Sequence, residues 1–148
     1  MATYMLTREL ELTLAPDALF PFFANANNLK KITPPWLHFK ILSPAPIVMK
    51  VGEEISYQLR LFGVPFLWTT VISVWDPPYR FVDEQLSGPY RRWVHEHVFE
   101  AVSRGTVVRD RVEYEAPGGR LVHSLFVKPS LKRIFDYRHA QMQKLNNT

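Results

Sequence analysis

Two histidines in the run Trp93-Val94-His95-Glu96-His97-Val98-Phe99 are spaced two apart, and that spacing sets what they can do. On a strand the side-chain period is two, so Trp93, His95, His97 and Phe99 share one face. Arg92, Glu96 and Glu100 point the other way with Val94 and Val98. The next segment carries Val108, Asp110, Val112 and Tyr114 on one face and the wholly charged set Arg109, Arg111, Glu113 and Glu115 on the other. A two-residue turn at Arg104-Gly105 sets Phe99 opposite Asp110, His97 opposite Val112 and His95 opposite Tyr114. Asp110 then lies diagonal to His97, roughly 7–8 Å away between backbones and within side-chain reach. A carboxylate on an otherwise apolar face needs a partner or water, because burying an unpaired charge is expensive.

Three chemistries fit this cluster. It can be a satisfied buried network that specifies register and cavity shape. It can supply the few polar anchors of a mostly apolar small-molecule site, with Tyr57, Leu59, Asp83, Gln85, Trp93, His95, His97, Asp110, Tyr114 and Arg138 as the ligand-binding set. Or it can transfer protons, with His97 held by Asp110 as a general base on an enolisable carbon and Tyr57 or Tyr114 as hydrogen-bond donor. His95, His97 and Asp110 also form a two-histidine, one-carboxylate set, but a His-x-His pair does not by itself specify a metal. No metal and no cofactor is expected.

Other chemistries lack their residues. The chain has no cysteine, which excludes disulfides, thiolate metal sites and a cysteine nucleophile. No glycine-rich phosphate loop, serine-centred elbow or paired-glutamate motif is present. The net charge of +4 comes from scattered basic residues with acidic ones interleaved, rather than a stripe beside stacking aromatics, so nucleic acid is not an expected partner. No apolar run reaches the ~18–20 residues that span a bilayer, and the N-terminus lacks a leader pattern, so the expectation is a soluble, cytoplasmic protein. With 148 residues, 47% of them hydrophobic, the chain is expected to form one core-bearing domain over 1–148.

The elements that must position these residues follow from periodicity. Tyr4, Leu6, Leu10 and Leu12 alternate with polar residues in a half-buried strand whose one inward break is Arg8. Pro16 and Asp17 open a short helix that Pro21 should shorten or kink, and a second short helix near 28–32 is stopped by Pro34 and Pro35. Strands are expected at 37–43, 53–62, 66–75, 80–87, 91–102 and 106–115. Ile55, Tyr57, Leu59 and Leu61 form one inward row. On 80–87, Phe81, Asp83 and Gln85 alternate with Val82, Glu84 and Leu86, and the pattern leaves either set free to face inward; a three-residue loop at 88–90 would put the first set beside the histidines.

The remaining residues have helical spacing: Leu121 with Leu125, then Leu131, Ile134, Phe135, Arg138, Met142 and Leu145, with a bend at Pro129. Arg138 stands in an apolar register and is the one inward polar group expected there. The fold class is therefore α+β, a curved antiparallel sheet of about seven strands wrapped around a long C-terminal helix, with two short helices after the first strand. The hairpin at 61–68 is unusually apolar, consistent with a cavity rim, a subunit contact, a membrane touch or a tip folded over the core.

Several stretches resemble a known family: Leu14-Ala15-Pro16, Asn28-Leu29 through Ile32-Thr33-Pro34-Pro35, Phe81-Val82-Asp83-Glu84-Gln85 with Gly88-Pro89, Trp93-x-His95-x-His97-x-Phe99, and Asp110-Arg111-Val112-x-Tyr114. They resemble the polyketide cyclase/dehydrase and coenzyme-Q-binding START-type proteins of the helix-grip (SRPBCC, birch-pollen-allergen-like) superfamily, across essentially the whole chain. The resemblance implies a hydrophobic-ligand cavity under the long helix, with Gly63-Val64-Pro65 and Gly88-Pro89 near its mouth, and it carries over no catalytic residue. The expected function is binding of a lipid, isoprenoid or polyketide-like small molecule by a monomer or homodimer. The alternatives are a cofactor-independent cyclase, dehydratase or isomerase using His97 with Asp110, and a lipid-surface or protein-interaction module using the hairpin 61–68.

Overall fold

Strict alternation makes the first strand. In β1 (Tyr4–Leu12), Tyr4, Leu6, Arg8, Leu10 and Leu12 turn inward while the residues between them are exposed. The structure, a computed structural model, describes residues 2–147. Pro16 opens α1 (Pro16–Phe23), where its missing N–H has no partner to lose, and Asp17 complements the positive end of the helix. Pro21 cannot donate within the helix, which ends at Phe23 with Ala24 N–H bonded to the Phe20 carbonyl. The second short helix is a 3-10 segment (Ala26–Ile32), started by the Asn25 side chain accepting the Asn27 N–H at 3.0 Å.

The strand expected at 37–43 is mostly absent. Pro34 and Pro35 lead into another 3-10 turn (Pro35–Leu37), His38 takes a left-handed φ of 49°, and only β2 (Lys40–Ile41) pairs. A chain turned this sharply cannot run along the sheet edge, so most of this segment packs as loop. β3 (Glu54–Leu61), β4 (Val64–Asp76), β5 (Arg80–Ser87), β6 (Arg92–Val102) and β7 (Gly105–Glu115) complete an antiparallel sheet ordered β1-β7-β6-β5-β4-β3-β2. Two register irregularities against β5, between Thr69 and Thr70 and between Ile72 and Val74, interrupt β4; such bulges bend a strand and curve the sheet.

Two hairpins differ from expectation in their turn residues. β3 and β4 join through Phe62-Gly63, both at positive φ, with Val64 already paired to Leu61, rather than through the 63–65 gap between the strands expected at 53–62 and 66–75. β6 and β7 join through Ser103-Arg104, with Val102 paired to Gly105, so the register is two residues from the expected one. His97 therefore faces Asp110, His95 faces Val112 and Trp93 faces Tyr114. The inward face is unchanged, because a shift of two preserves the direction of every side chain.

The C-terminal helix runs from α2 (Gly119–Val122) through a π-helical turn (His123–Val127) into α3 (Lys128–Gln143) and a final 3-10 turn (Lys144–Asn147). Pro129 has no N–H for the preceding turn, and the wider π turn just before it accommodates that loss. The π turn also changes the helix's phase. His123, Val127, Leu131, Phe135, Arg138 and Met142 are buried, whereas Leu121 and Leu125, expected on the packed face, are 72% and 59% exposed. Arg8 is tied across to the helix by a 2.7 Å ion pair with Asp136, which explains the polar break in the inward face of β1. No helix among the described residues is long and apolar enough to cross a membrane.

Candidate functional site

A cavity of about 180 Å³ lies between the sheet and α3. An apolar cavity of roughly 150 Å³ holds benzene, so this one has room for a ring-sized group without rearrangement. β3 contributes Tyr57 and Leu59, β4 Trp68, β6 Trp93, and α3 Leu131 and Phe135 to its largely apolar wall. The aromatics brace one another: Tyr57 and Trp68 stack at 5.8 Å between centroids, and Trp93 meets Trp68 edge-on at 5.3 Å.

The polar part of the wall comes from three elements. Asp83 on β5 faces His95 on β6, and Phe81 faces His97, so the inward set of β5 does stand beside the histidines. Strand geometry makes the hydrogen bonds diagonal: His97 Nε2 lies 2.6 Å from Asp83 Oδ2, and His95 Nε2 lies 2.8 Å from Asp110 Oδ1. The two imidazoles stack at 3.7 Å, and Phe81 covers the His97 ring at 4.0 Å. From α3, Arg138 brings Nη2 to 3.4 Å from His97 Nδ1 and 3.6 Å from Asp110 Oδ1.

Charge assigns the protons. Burial opposes ionisation of Asp83, but the hydrogen bond from His97 and the nearby positive groups outweigh it and lower its carboxyl below the usual range. Asp110 is likewise opposed by burial, then held well below the carboxylate range by Arg138 and the His95 hydrogen bond. Both carboxylates therefore only accept, so His95 and His97 each carry a proton on Nε2. Burial, followed by His95, pushes His97 down to about 4, leaving it neutral near pH 7 with its Nδ1 lone pair toward Arg138. Burial and the charge of Asp83 keep the Tyr57 hydroxyl protonated by raising it well above 10.

The chain's sequence matches the family described as a domain of unknown function (DUF8410) over residues 24–145. It belongs to that family. No curated protein matches the DUF8410 chain. In three dimensions it is similar to a Chromobacterium violaceum protein, with a TM-score of 0.74 at 14% identity over 99% of this chain and 98% of that one. It is equally similar to the Zhui aromatase/cyclase of a Streptomyces species, with a TM-score of 0.74 at 12% identity over 99% and 94% of the two chains. A START superfamily protein from Mycobacterium smegmatis gives 0.70 at 9% identity over 95% and 98%. The DUF8410 chain thus has the helix-grip fold, with its long C-terminal helix held by a seven-stranded sheet.

Of the residues singled out in sequence, Tyr57, Leu59, Asp83, Trp93, His95, His97 and Arg138 reach the cavity wall. Gln85, Asp110 and Tyr114 do not. Gln85 is spent on the β5–β6 loop, donating to the Tyr90 carbonyl at 2.6 Å and accepting the Tyr90 N–H at 3.2 Å. Asp110 is 2% exposed and stands behind the histidines. Tyr114 bonds His123 Nε2 at 2.7 Å under the start of the C-terminal helix. The expected His97–Asp110 pair is only a 3.5 Å approach between Nδ1 and Oδ1, two acceptors in the proton arrangement above.

Trp68 and the loop residues Leu37 and Phe39 also line the cavity and were not anticipated. Trp68 shares its buried face with Thr70 and Ile72, an alternation that could have placed it inward. The loop residues have no such periodic signal. A cation-capable grouping exists too: Asp83, His95 and His97 offer ligand atoms within 4.8 Å of one another, with Asp83 in the place expected for Asp110. Its donors already satisfy one another through the 2.6 Å His97–Asp83 bond, and Arg138 stands beside it.

Proposed function

We propose that this chain, acting as one helix-grip unit over 1–148 in a cytoplasmic setting, binds a hydrophobic or amphipathic small molecule of lipid, isoprenoid or polyketide-like character in the cavity between sheet and helix. One observation carries the proposal. Among the described residues, Trp68 Nε1 and Arg138 Nε are buried donors with no hydrogen-bond partner, and both residues line this largely apolar cavity. Leaving a buried donor unmatched costs about 1–3 kcal/mol, which an acceptor oxygen on a bound molecule would offset. An apolar body with one acceptor group is the ligand shape these walls fit.

Native mass spectrometry of freshly purified protein, followed by denaturing extraction, tests this directly. The expected result is a stoichiometric organic mass released on unfolding. The proposal fails if the protein runs at its polypeptide mass and a panel of fluorescent lipids and polyaromatics leaves its tryptophan emission unchanged.

A second reading, cofactor-independent cyclase, dehydratase or isomerase chemistry, is favoured by the histidine–carboxylate hydrogen bonds at the cavity wall and by the fold shared with an aromatase/cyclase. In that reading His97 would be held by Asp83, with Asp110 supporting His95. Turnover with a pH profile that moves on His95→Gln or His97→Gln substitution would distinguish it from simple binding.

A further inference from the structure

The phase change at the π turn leaves an apolar stripe uncovered. Leu121 and Leu125 form one row, Val122 and Phe126 the next, and all four face outward. The tip of the β3–β4 hairpin adjoins them: the Phe62 ring meets Phe126 edge-on at 6.3 Å, and Phe62 and Val64 are themselves 65% and 52% exposed. Two segments far apart in sequence thus build one apolar prominence. A contiguous exposed apolar surface of this kind marks an interaction site.

Charge indicates the partner. Residues 60–68, 86–91 and 116–128, which make the hairpin tip, the β5–β6 loop and the start of the helix, contain no aspartate or glutamate. They contain Arg60, Arg91, Arg120 and Lys128, all exposed and none in an ion pair among the described residues. Elsewhere the surface mixes signs, as in the pairs of Arg80 with Glu96 and Arg92 with Glu113. The three segments are neighbours, since Trp68 contacts Tyr90 and Arg91 N–H bonds the Glu115 carbonyl.

We infer that this end of the molecule docks on an anionic lipid surface, with Phe62, Val64, Leu121, Leu125 and Phe126 entering the interface and Arg60, Arg91, Arg120 and Lys128 meeting the headgroups. Apolar and aromatic side chains beside unpaired cations are the combination that binds a charged bilayer peripherally. Leu61 and Tyr90 line the cavity and lie directly beside this patch in sequence, so the docked end is also a cavity end. The inference is independent of what the cavity holds.

Flotation of the full chain with vesicles of phosphatidylcholine alone, or of equal parts phosphatidylcholine and phosphatidylglycerol, tests it. The wild-type protein is expected to float with the anionic vesicles and to be released as salt is raised. Phe62→Ser with Phe126→Ser is expected to weaken partitioning roughly tenfold or more. Arg60→Glu with Arg120→Glu is expected to abolish the preference for phosphatidylglycerol, each lost cation counting for roughly fivefold. All four positions are exposed, so unchanged thermal unfolding serves as the folding control. Wild-type protein that stays unbound at low salt, variants that float like wild type, or a dimer in light scattering that the Phe62/Phe126 variant dissociates would each overturn the inference.

Discussion

His97 stands directly opposite Asp110 across the β6–β7 pair, yet its short hydrogen bond goes to Asp83 on the other neighbouring strand, 2.6 Å from Nε2. Asp110 instead accepts a hydrogen bond from Nε2 of His95, the residue diagonal to it. Each carboxylate thus ties its own strand to β6, and Arg138 closes the group from the helix above. The arrangement couples sheet and helix through ionisable groups, so stability and binding should both respond to charge.

The first consequence is acid sensitivity. His97 titrates near 4 in the folded chain and near 6.5 when unfolded, so between those values the unfolded state binds more protons. Its contribution is fully present above about pH 6.5 and is lost as pH falls toward 4, amounting to about 3 kcal/mol at most. Asp83 and Asp110, whose values are lowered, add the same sign of effect below about pH 4. Urea denaturation across this range should show stability falling first through the histidine window, and His97→Gln should flatten that portion of the curve. An unchanged slope in the variant would assign the effect elsewhere.

Asp110→Asn should be among the most damaging single substitutions. It removes the carboxylate nearest a buried guanidinium and leaves His95 facing an amide of equal size. Breaking a buried charge pair from one side typically costs roughly 3–5 kcal/mol. A loss below about 1 kcal/mol in chemical denaturation would mean that Asp83 alone balances Arg138.

Trp68→Phe isolates the unpartnered donor. Phenylalanine retains most of the ring packing against Tyr57 and Trp93 while deleting the N–H. If an acceptor on the bound molecule uses Nε1, affinity for whatever ligand is recovered should fall roughly tenfold, with little change in thermal stability. Equal affinity in isothermal titration would remove Trp68 from the polar recognition of the site.

Gly105→Ala tests the hairpin that sets the register. Gly105 sits at φ 141°, and a Cβ there would collide with the backbone of Leu12 and Thr13, where β1 ends against β7. Because backbone, rather than the end of a flexible side chain, is in the way, the substitution should destabilise the fold by about 2 kcal/mol or more. Reduced thermal stability with displaced amide resonances in Thr106 and Leu12 would be the signature.

On β3, β6 and α3, periodicity alone determined which side chains face inward. Trp93, His95, His97 and Phe99 on β6, the row Ile55, Tyr57 and Leu59 on β3, and Arg138 on the helix are all where alternation and helical spacing put them. Alternation repeats every two residues, so it cannot distinguish registers that differ by two. That is why the hairpin at Ser103-Arg104, rather than Arg104-Gly105, had to come from the tertiary structure, where Gly105 must pass close to the end of β1. The same limit hid which carboxylate belongs to which histidine, because diagonal contacts depend on register and on both neighbouring strands. Helical spacing likewise assumes an unbroken phase. The π turn before Pro129 shifts it, burying His123 and Val127 and turning Leu121 and Leu125 to the surface.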